Sequence, residues 1–109
     1  MNVHDPRNLT MLCDFYELTM SNGYFECGLK DRVCYFDVFY RRVPDKGGFA
    51  IAAGLAQVID YIQALKFDDE DIAYLRSKGC FDEGFLSYLR SFRFTGDIYA
   101  VPEGTPIFP

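Results

Sequence analysis

The chain has 109 residues, of which 50% are hydrophobic and 17% aromatic, and its 11 basic and 16 acidic residues give a net charge of −5. This length and hydrophobicity suit one domain with a real core and argue against intrinsic disorder. The acidic balance argues against nucleic acid as a partner, although a local basic cluster can still bind phosphate. No apolar run approaches the roughly 20 residues of a membrane span, so no membrane segment is predicted.

The cysteines and the single histidine predict no metal site, because no C-x-x-C pair occurs and His4 has no ligand-like spacing to any thiol. The cysteines are Cys13, Cys27, Cys34 and Cys80. Residues 1–7 form a polar lead-in without the apolar segment of a secretory signal. We therefore expect a cytoplasmic chain whose thiols are reduced and mostly serve as small core side chains.

The first predicted element is a helix from residue 8 to about residue 25, with Gly28 as its C-terminal stop. Its apolar side chains fall close to one stripe, formed by Leu9, Leu12, Phe15 and Met20 with Tyr16 and Leu18 beside it. Residues 32–41 follow and are rich in β-branched and aromatic side chains. Because both alternating faces are largely apolar, this segment is predicted to be a central strand covered on both sides.

The middle of the chain predicts a loop, a short strand and three helices. Residues 45–48 are a loop by composition, residues 49–53 a short strand or extended entry, and residues 55–65 an amphipathic helix. Residues 67–77 and 81–91 resemble each other, each with an aspartate at the N-cap, acids in the first turn and an arginine near the end. We interpret them as two capped helices packed side by side rather than as a functional repeat.

The last predicted elements are a strand at residues 98–101, a turn at residues 102–104 and a second extended run at residues 105–108. A sequence that stops inside an apolar β pattern would leave a strand edge unpaired. We therefore expect the chain to be part of a larger protein.

Two places could carry chemistry, although the sequence shows no nucleophile–base pair and no glycine-rich nucleotide loop. Asp14 and Tyr16 lie off the predicted core direction of the first helix, where a ring and a carboxylate could hold a flat heteroaromatic ligand. Arg41 and Arg42 end the predicted strand, where two guanidinium groups suit phosphate. A tyrosine at the border of the core and a solvated arginine pair are the alternatives, and the residues alone leave them open.

Six segments in order resemble the N-terminal region of the nicotinate phosphoribosyltransferase family. They are CDFYELTM at 13–20, NGYFECGL at 22–29, FDVFYRRVP at 36–44, AAGLAQVIDYI at 52–62, FDDEDIAYLRS at 67–77 and FTGDIYAVPEGT at 94–105. The resemblance spans nearly the whole chain. It implies an α+β N-terminal domain of a type II phosphoribosyltransferase over residues 1–109, with helices packed on a small, mostly antiparallel sheet and the barrel domain absent.

By this resemblance, the family's reaction joins nicotinate to phosphoribosyl pyrophosphate and is coupled to ATP hydrolysis. Its products are nicotinate mononucleotide and pyrophosphate. Tyr16 would stack on the pyridine ring with Asp14 near its edge, and Arg41 would contact the donor's phosphates with Arg42 assisting. No catalytic residue and no metal ligand is expected within the chain. ATP and Mg²⁺ would belong to the full-length enzyme, a homodimer in which the N-terminal region of one subunit completes the partner's barrel.

The resemblance also has departures. Family members commonly carry leucine where this chain has Phe15, and His4 does not correspond to the family's phosphorylated histidine, which lies in the barrel. The chain alone is therefore expected to be inactive and to expose an apolar patch toward the barrel. The alternative is a stand-alone binding or interaction module derived from the same domain.

Overall fold

The computed structural model describes residues 7–109, so His4 and nearly all of the polar lead-in lie outside the described residues. The elements are α1 (Phe15–Glu26), a 3-10 turn (Pro44–Lys46), β1 (Ala50–Ile51), α2 (Leu55–Ala64), α3 (Asp69–Ser77), α4 (Glu83–Ser91) and β2 (Pro106–Ile107). Four helices and a two-stranded antiparallel sheet within these residues confirm the α+β class.

Helix α1 begins later than predicted, at Phe15 rather than at residue 8. Asp14 is its N-cap with extended backbone, and the Asp14 N–H donates to the Glu17 carboxylate at 3.0 Å. This reciprocal capping sets the start of the helix. The preceding residues bond elsewhere, because the Thr10 hydroxyl oxygen accepts from the Lys66 N–H at 2.9 Å. The predicted stripe was also wrong in detail, since the residues that α1 buries are Leu18 and Asn22.

The core lies between α1, α3 and α4, and α4 packs against both of the others. Its buried side chains are Leu18, Phe67, Ile72, Leu75, Phe85, Leu86 and Leu89. The prediction of two capped helices side by side is therefore confirmed. The Asp68 carboxylate accepts from the Asp71 N–H at 2.9 Å, and the Asp82 carboxylate accepts from the Phe85 N–H at 3.2 Å. A buried amide joins α1 to α4, because the Asn22 side-chain oxygen accepts from the Asp82 N–H at 2.9 Å.

The cap of α3 predicts an acid-dependent loss of stability. Hydrogen bonding from the Asp71 backbone, and then from the Asn8 side chain, holds the pKa of Asp68 below its ordinary value of 3.8. A carboxyl group with a depressed folded-state pKa stabilises the fold above its unfolded pKa, and the stabilisation disappears as pH falls through the folded value. Urea midpoints measured from pH 6 to pH 2 should therefore begin to fall below about pH 4. The Asp68→Asn variant, which keeps an acceptor but does not titrate, should show a shallower fall; an equal slope would contradict this role.

The sheet is short but is joined to α2 by a side-chain clamp. Ala50 pairs with Ile107 and Ile51 with Pro106, and the Ala52 N–H continues the ladder by donating to the Thr105 carbonyl at 2.9 Å. The Glu103 carboxylate, in the turn before β2, accepts from the N–H groups of Gly54 and Leu55 at 2.9 and 3.0 Å. A carboxylate at this position satisfies free donors at the N-terminus of α2. Helix α2 was predicted almost to the residue, but it buries none of its side chains fully.

The predicted central strand at residues 32–41 does not form, and neither does the strand predicted at residues 98–101. A strand needs a partner for its backbone hydrogen bonds, and within residues 7–109 the only sheet joins β1 to β2. The apolar side chains that were expected inside are exposed instead: Val33, Tyr35, Phe36, Val38 and Phe39. The four cysteines are free, as predicted, but all are exposed, so their expected place in the core was wrong.

The chain exposes more surface than its mass requires. Its solvent-accessible area is 8975 Å², whereas a self-contained monomer of 12.5 kDa would expose about 6,200 Å². Its radius of gyration is 16.8 Å, against about 13 Å for a compact domain of this length. Residues 33–39, α2 and the two strands place no side chain in the buried core.

Candidate functional site

Tyr16 lies in the first turn of α1 with 59% of its surface exposed. Its neighbour Phe15 packs edge to face on Phe81, with 5.7 Å between the ring centroids and 83° between the planes. Successive helical side chains are about 100° apart around the axis, so a Phe15 side chain held against Phe81 leaves Tyr16 directed away from this contact. The ring of Tyr16 is therefore available to stack on a planar ligand.

Asp14 is exposed at the N-cap of α1 and lies within a small acidic region. Partial burial of the sulfur, and then the charges of Glu17 and Asp14, raise the pKa of the Cys13 thiol. An ionised aspartate only accepts hydrogen bonds. It therefore suits a positively charged or N–H-bearing edge of a ligand and repels a carboxylate.

Arg41 and Arg42 are exposed and follow an extended segment rather than a strand. Among the described residues 7–109, neither guanidinium group forms a hydrogen bond or an ion pair. The chain then turns at Pro44–Lys46, where Asp45 (φ 55°) and Lys46 (φ 56°) both adopt left-handed backbone conformations. Such conformations cost non-glycine residues on the order of 1 kcal/mol each. Because neither arginine has a partner among residues 7–109, both retain their full donor capacity for an anion.

No hydrogen bond or ion pair within residues 7–109 joins the Asp14–Tyr16 pair to the arginine pair. Near α1, the Tyr61 hydroxyl donates to the Thr10 carbonyl at 3.4 Å, while burial and then Cys13 and Glu17 raise the pKa of Tyr61. Near the arginines, the Tyr40 hydroxyl donates to the Ile107 carbonyl at 2.6 Å. Tyr61 lies toward the C-terminal end of α2, and the Glu103 clamp lies at its N-terminus.

Tyr40, Tyr61 and Glu103 were not predicted from the sequence to support the site. Glu103 had a partial signal, because it stands in a Pro-Glu-Gly turn where a carboxylate can cap a nearby helix. Tyr40 and Tyr61 had none, since each belongs to an apolar pattern in which a hydroxyl group carries no separate signal.

A shallow open depression lies beside the N-terminus of α3, with a volume of about 270 Å³. It is lined by Lys66, Phe67, Asp68, Asp69 and Arg90, and Arg90 pairs with Asp69 at 3.4 Å. None of the predicted site residues lines it, and Arg90 and Asp69 in its lining already form an ion pair. In the described part of the chain, no three His, Cys, Asp or Glu side chains are grouped to hold a metal ion. No helix formed by residues 7–109 combines the length and apolar character of a membrane span.

Comparison with known proteins gives one consistent family. The model of the nicotinate phosphoribosyltransferase (NAPRTase) N-terminal domain matches residues 11–109. A nicotinate phosphoribosyltransferase of Mycobacterium tuberculosis is 41% identical over 99 residues, which are 91% of this chain and 21% of the relative. Enzymes of the same name from Bacillus subtilis and Homo sapiens are 36% and 34% identical, covering 93% and 91% of this chain and 21% and 19% of the relatives. The chain thus spans about a fifth of the length of the curated relatives it matches.

Proposed function

The chain belongs to the nicotinate phosphoribosyltransferase N-terminal domain family, and from that premise we propose that it is the front part of an enzyme that makes nicotinate mononucleotide for NAD biosynthesis. The reaction joins nicotinate to phosphoribosyl pyrophosphate, releases pyrophosphate and is coupled to ATP hydrolysis. The match over residues 11–109 to enzymes of this name carries the proposal. Because the match covers a fifth of each relative, catalysis requires the remaining part of the enzyme.

Nicotinate is assigned to the Tyr16 and Asp14 pair at the start of α1. The exposed ring of Tyr16 offers a flat face to the pyridine ring. The Asp14 carboxylate would repel the carboxylate of nicotinate, so it faces the opposite edge of the ring, which carries the nitrogen. That nitrogen becomes positively charged in the product. The anionic group of nicotinate then pairs with a cation outside residues 7–109.

The phosphates of the sugar donor are assigned to Arg41, with Arg42 assisting. The nitrogen lone pair of the pyridine ring forms the new bond to C1 of the ribose, and the bond from C1 to pyrophosphate breaks with its electrons leaving on oxygen. Positive charge therefore develops on the sugar while negative charge grows on the leaving group. Guanidinium groups held against that leaving group stabilise the transition state more than the ground state.

The remaining partners are assigned to the rest of the enzyme: the barrel domain, ATP with Mg²⁺, and a second subunit of a cytoplasmic homodimer. Residues 7–109 offer no group of ligands for a metal ion. They do offer an unpaired segment with apolar side chains on both faces at residues 33–39. Such a segment suits burial by other parts of a larger protein.

The purified 109-residue chain is expected to show no conversion of nicotinate. It carries residues proposed to bind two substrates, but it lacks the rest of the active site. A hybrid in which this chain replaces the matched fifth of the Bacillus subtilis relative is expected to convert nicotinate and phosphoribosyl pyrophosphate to nicotinate mononucleotide. The unmodified relative and the relative without its matched fifth are the controls. Activity of the chain alone would contradict the proposal. If the hybrid is inactive while the 109-residue chain folds alone and binds a ligand or a protein, a stand-alone binding module is the better interpretation.

A further inference from the structure

Tyr40 stands directly before the proposed donor-binding Arg41 and directly after the exposed segment at residues 33–39. Its hydroxyl group donates to the carbonyl of Ile107 in β2 at 2.6 Å, across 67 positions of sequence. Within the described residues 7–109, this is the one hydrogen bond or ion pair that ties residues 33–43 to a distant part of the chain. The Tyr40 hydroxyl is therefore the hydrogen-bonding group that anchors the chain beside Arg41.

The acceptor of this hydrogen bond belongs to β2, which is held by pairing with β1 and, through the preceding turn, by hydrogen bonds to α2. Ile107 pairs with Ala50 across the sheet. The turn before β2 is held to α2 by the two hydrogen bonds of the Glu103 carboxylate. Tyr40 is half-buried, whereas Tyr35, Phe36 and Phe39 on the same segment are exposed. Among the described residues 7–109, Tyr40 is thus the residue whose hydrogen bond fixes this stretch of chain to the two-stranded sheet, and it is the neighbour of Arg41.

We propose that Tyr40 is a positioning residue, which holds Arg41 in place for the phosphates of the sugar donor through its hydrogen bond to β2. The inference rests on the proposed function, because it presupposes that Arg41 binds those phosphates. A long guanidinium side chain loses much conformational freedom when it binds, so fixing its backbone reduces the cost of each encounter. Loss of the Tyr40 hydroxyl should therefore weaken donor binding and leave nicotinate binding unchanged.

The test compares Tyr40→Phe with Tyr35→Phe in the full-length enzyme that carries this chain. Both variants remove one hydroxyl group from the same segment, but the Tyr35 side chain makes no hydrogen bond within residues 7–109. Tyr40→Phe is expected to raise KM for phosphoribosyl pyrophosphate about three- to tenfold. Its kcat and its KM for nicotinate should stay within about twofold of the parent, and Tyr35→Phe should leave all three unchanged. Equal melting temperatures establish that the fold is intact.

Arg41→Gln and the double variant separate positioning from general support of the fold. If Tyr40 acts through Arg41, the double variant should bind the donor no more weakly than Arg41→Gln alone. Additive losses, or an equal rise in KM for nicotinate, would overturn the inference. If Arg41→Gln raises KM for the donor while Tyr40→Phe does not, the positioning role is wrong and the donor site stands. If Arg41→Gln itself has no effect, the assignment of the donor site fails and the inference fails with it.

Discussion

Replacing Phe85 with alanine is expected to leave the chain largely unfolded at 25 °C, with a loss of about 3–5 kcal/mol in the free energy of unfolding. Phe85 is 1% exposed on α4, and its ring contacts those of Phe25 and Phe81. Alanine removes these contacts and leaves a cavity that the surrounding helices can fill only partly. Since the buried core is small, few other side chains compensate.

Urea unfolding followed by circular dichroism measures this effect, and Phe85→Leu provides a milder variant with an expected loss of about 1–2 kcal/mol. Tyr35→Ala is the matched control, because Tyr35 is also aromatic but 94% exposed. Its unfolding free energy should change by no more than about 0.5 kcal/mol. Equal losses at Phe85 and Tyr35 would mean that the helical core does not carry the stability of the chain.

Tyr16→Ala in the full-length enzyme is expected to raise KM for nicotinate about tenfold to a hundredfold, because the stacking face proposed for the pyridine ring is lost. KM for phosphoribosyl pyrophosphate should change little, since Arg41 and Arg42 bind that substrate in our proposal. Steady-state kinetics with each substrate varied in turn measure both quantities.

Tyr24→Ala is the control for Tyr16, because both tyrosines lie on α1 and are similarly exposed, at 59% for Tyr16 and 50% for Tyr24. Tyr16→Phe should retain most of the affinity, since its ring is unchanged. An unchanged KM for nicotinate in Tyr16→Ala, or an equal rise in Tyr24→Ala, would show that the ring of Tyr16 does not form the site.

The helices could be predicted because their signals are local. Aspartates at the N-caps, acids in the first turn and apolar spacing fixed α3 and α4, and these are properties of neighbouring residues. The start of α1 was placed too early because the apolar residues Leu9 and Leu12 extend the helical pattern backward. The cap at Asp14 and the contact from Thr10 to Lys66 end that pattern, and the second of these joins residues 56 positions apart.

The strand at residues 32–41 was the largest disagreement, and its cause is physical. Alternating β-branched and aromatic residues favour an extended backbone, but strand pairing depends on a partner strand that can lie anywhere in the sequence. The candidate site shows the same division. Tyr16 and Arg41 could be predicted as candidate site residues from their neighbours in the sequence. The Tyr40 hydrogen bond joins residues 67 positions apart, so no local pattern predicts it.

The exposed segment at residues 33–39 has a consequence for the order of events during synthesis. Its apolar side chains leave the ribosome before α3 and α4, whose core closes only when residues near 91 have emerged. At about 5–20 residues per second, the segment is exposed for several seconds before that core closes, and it stays exposed afterwards because it lies outside the core. During that interval it is a binding site for chaperones and a hazard for association between nascent chains.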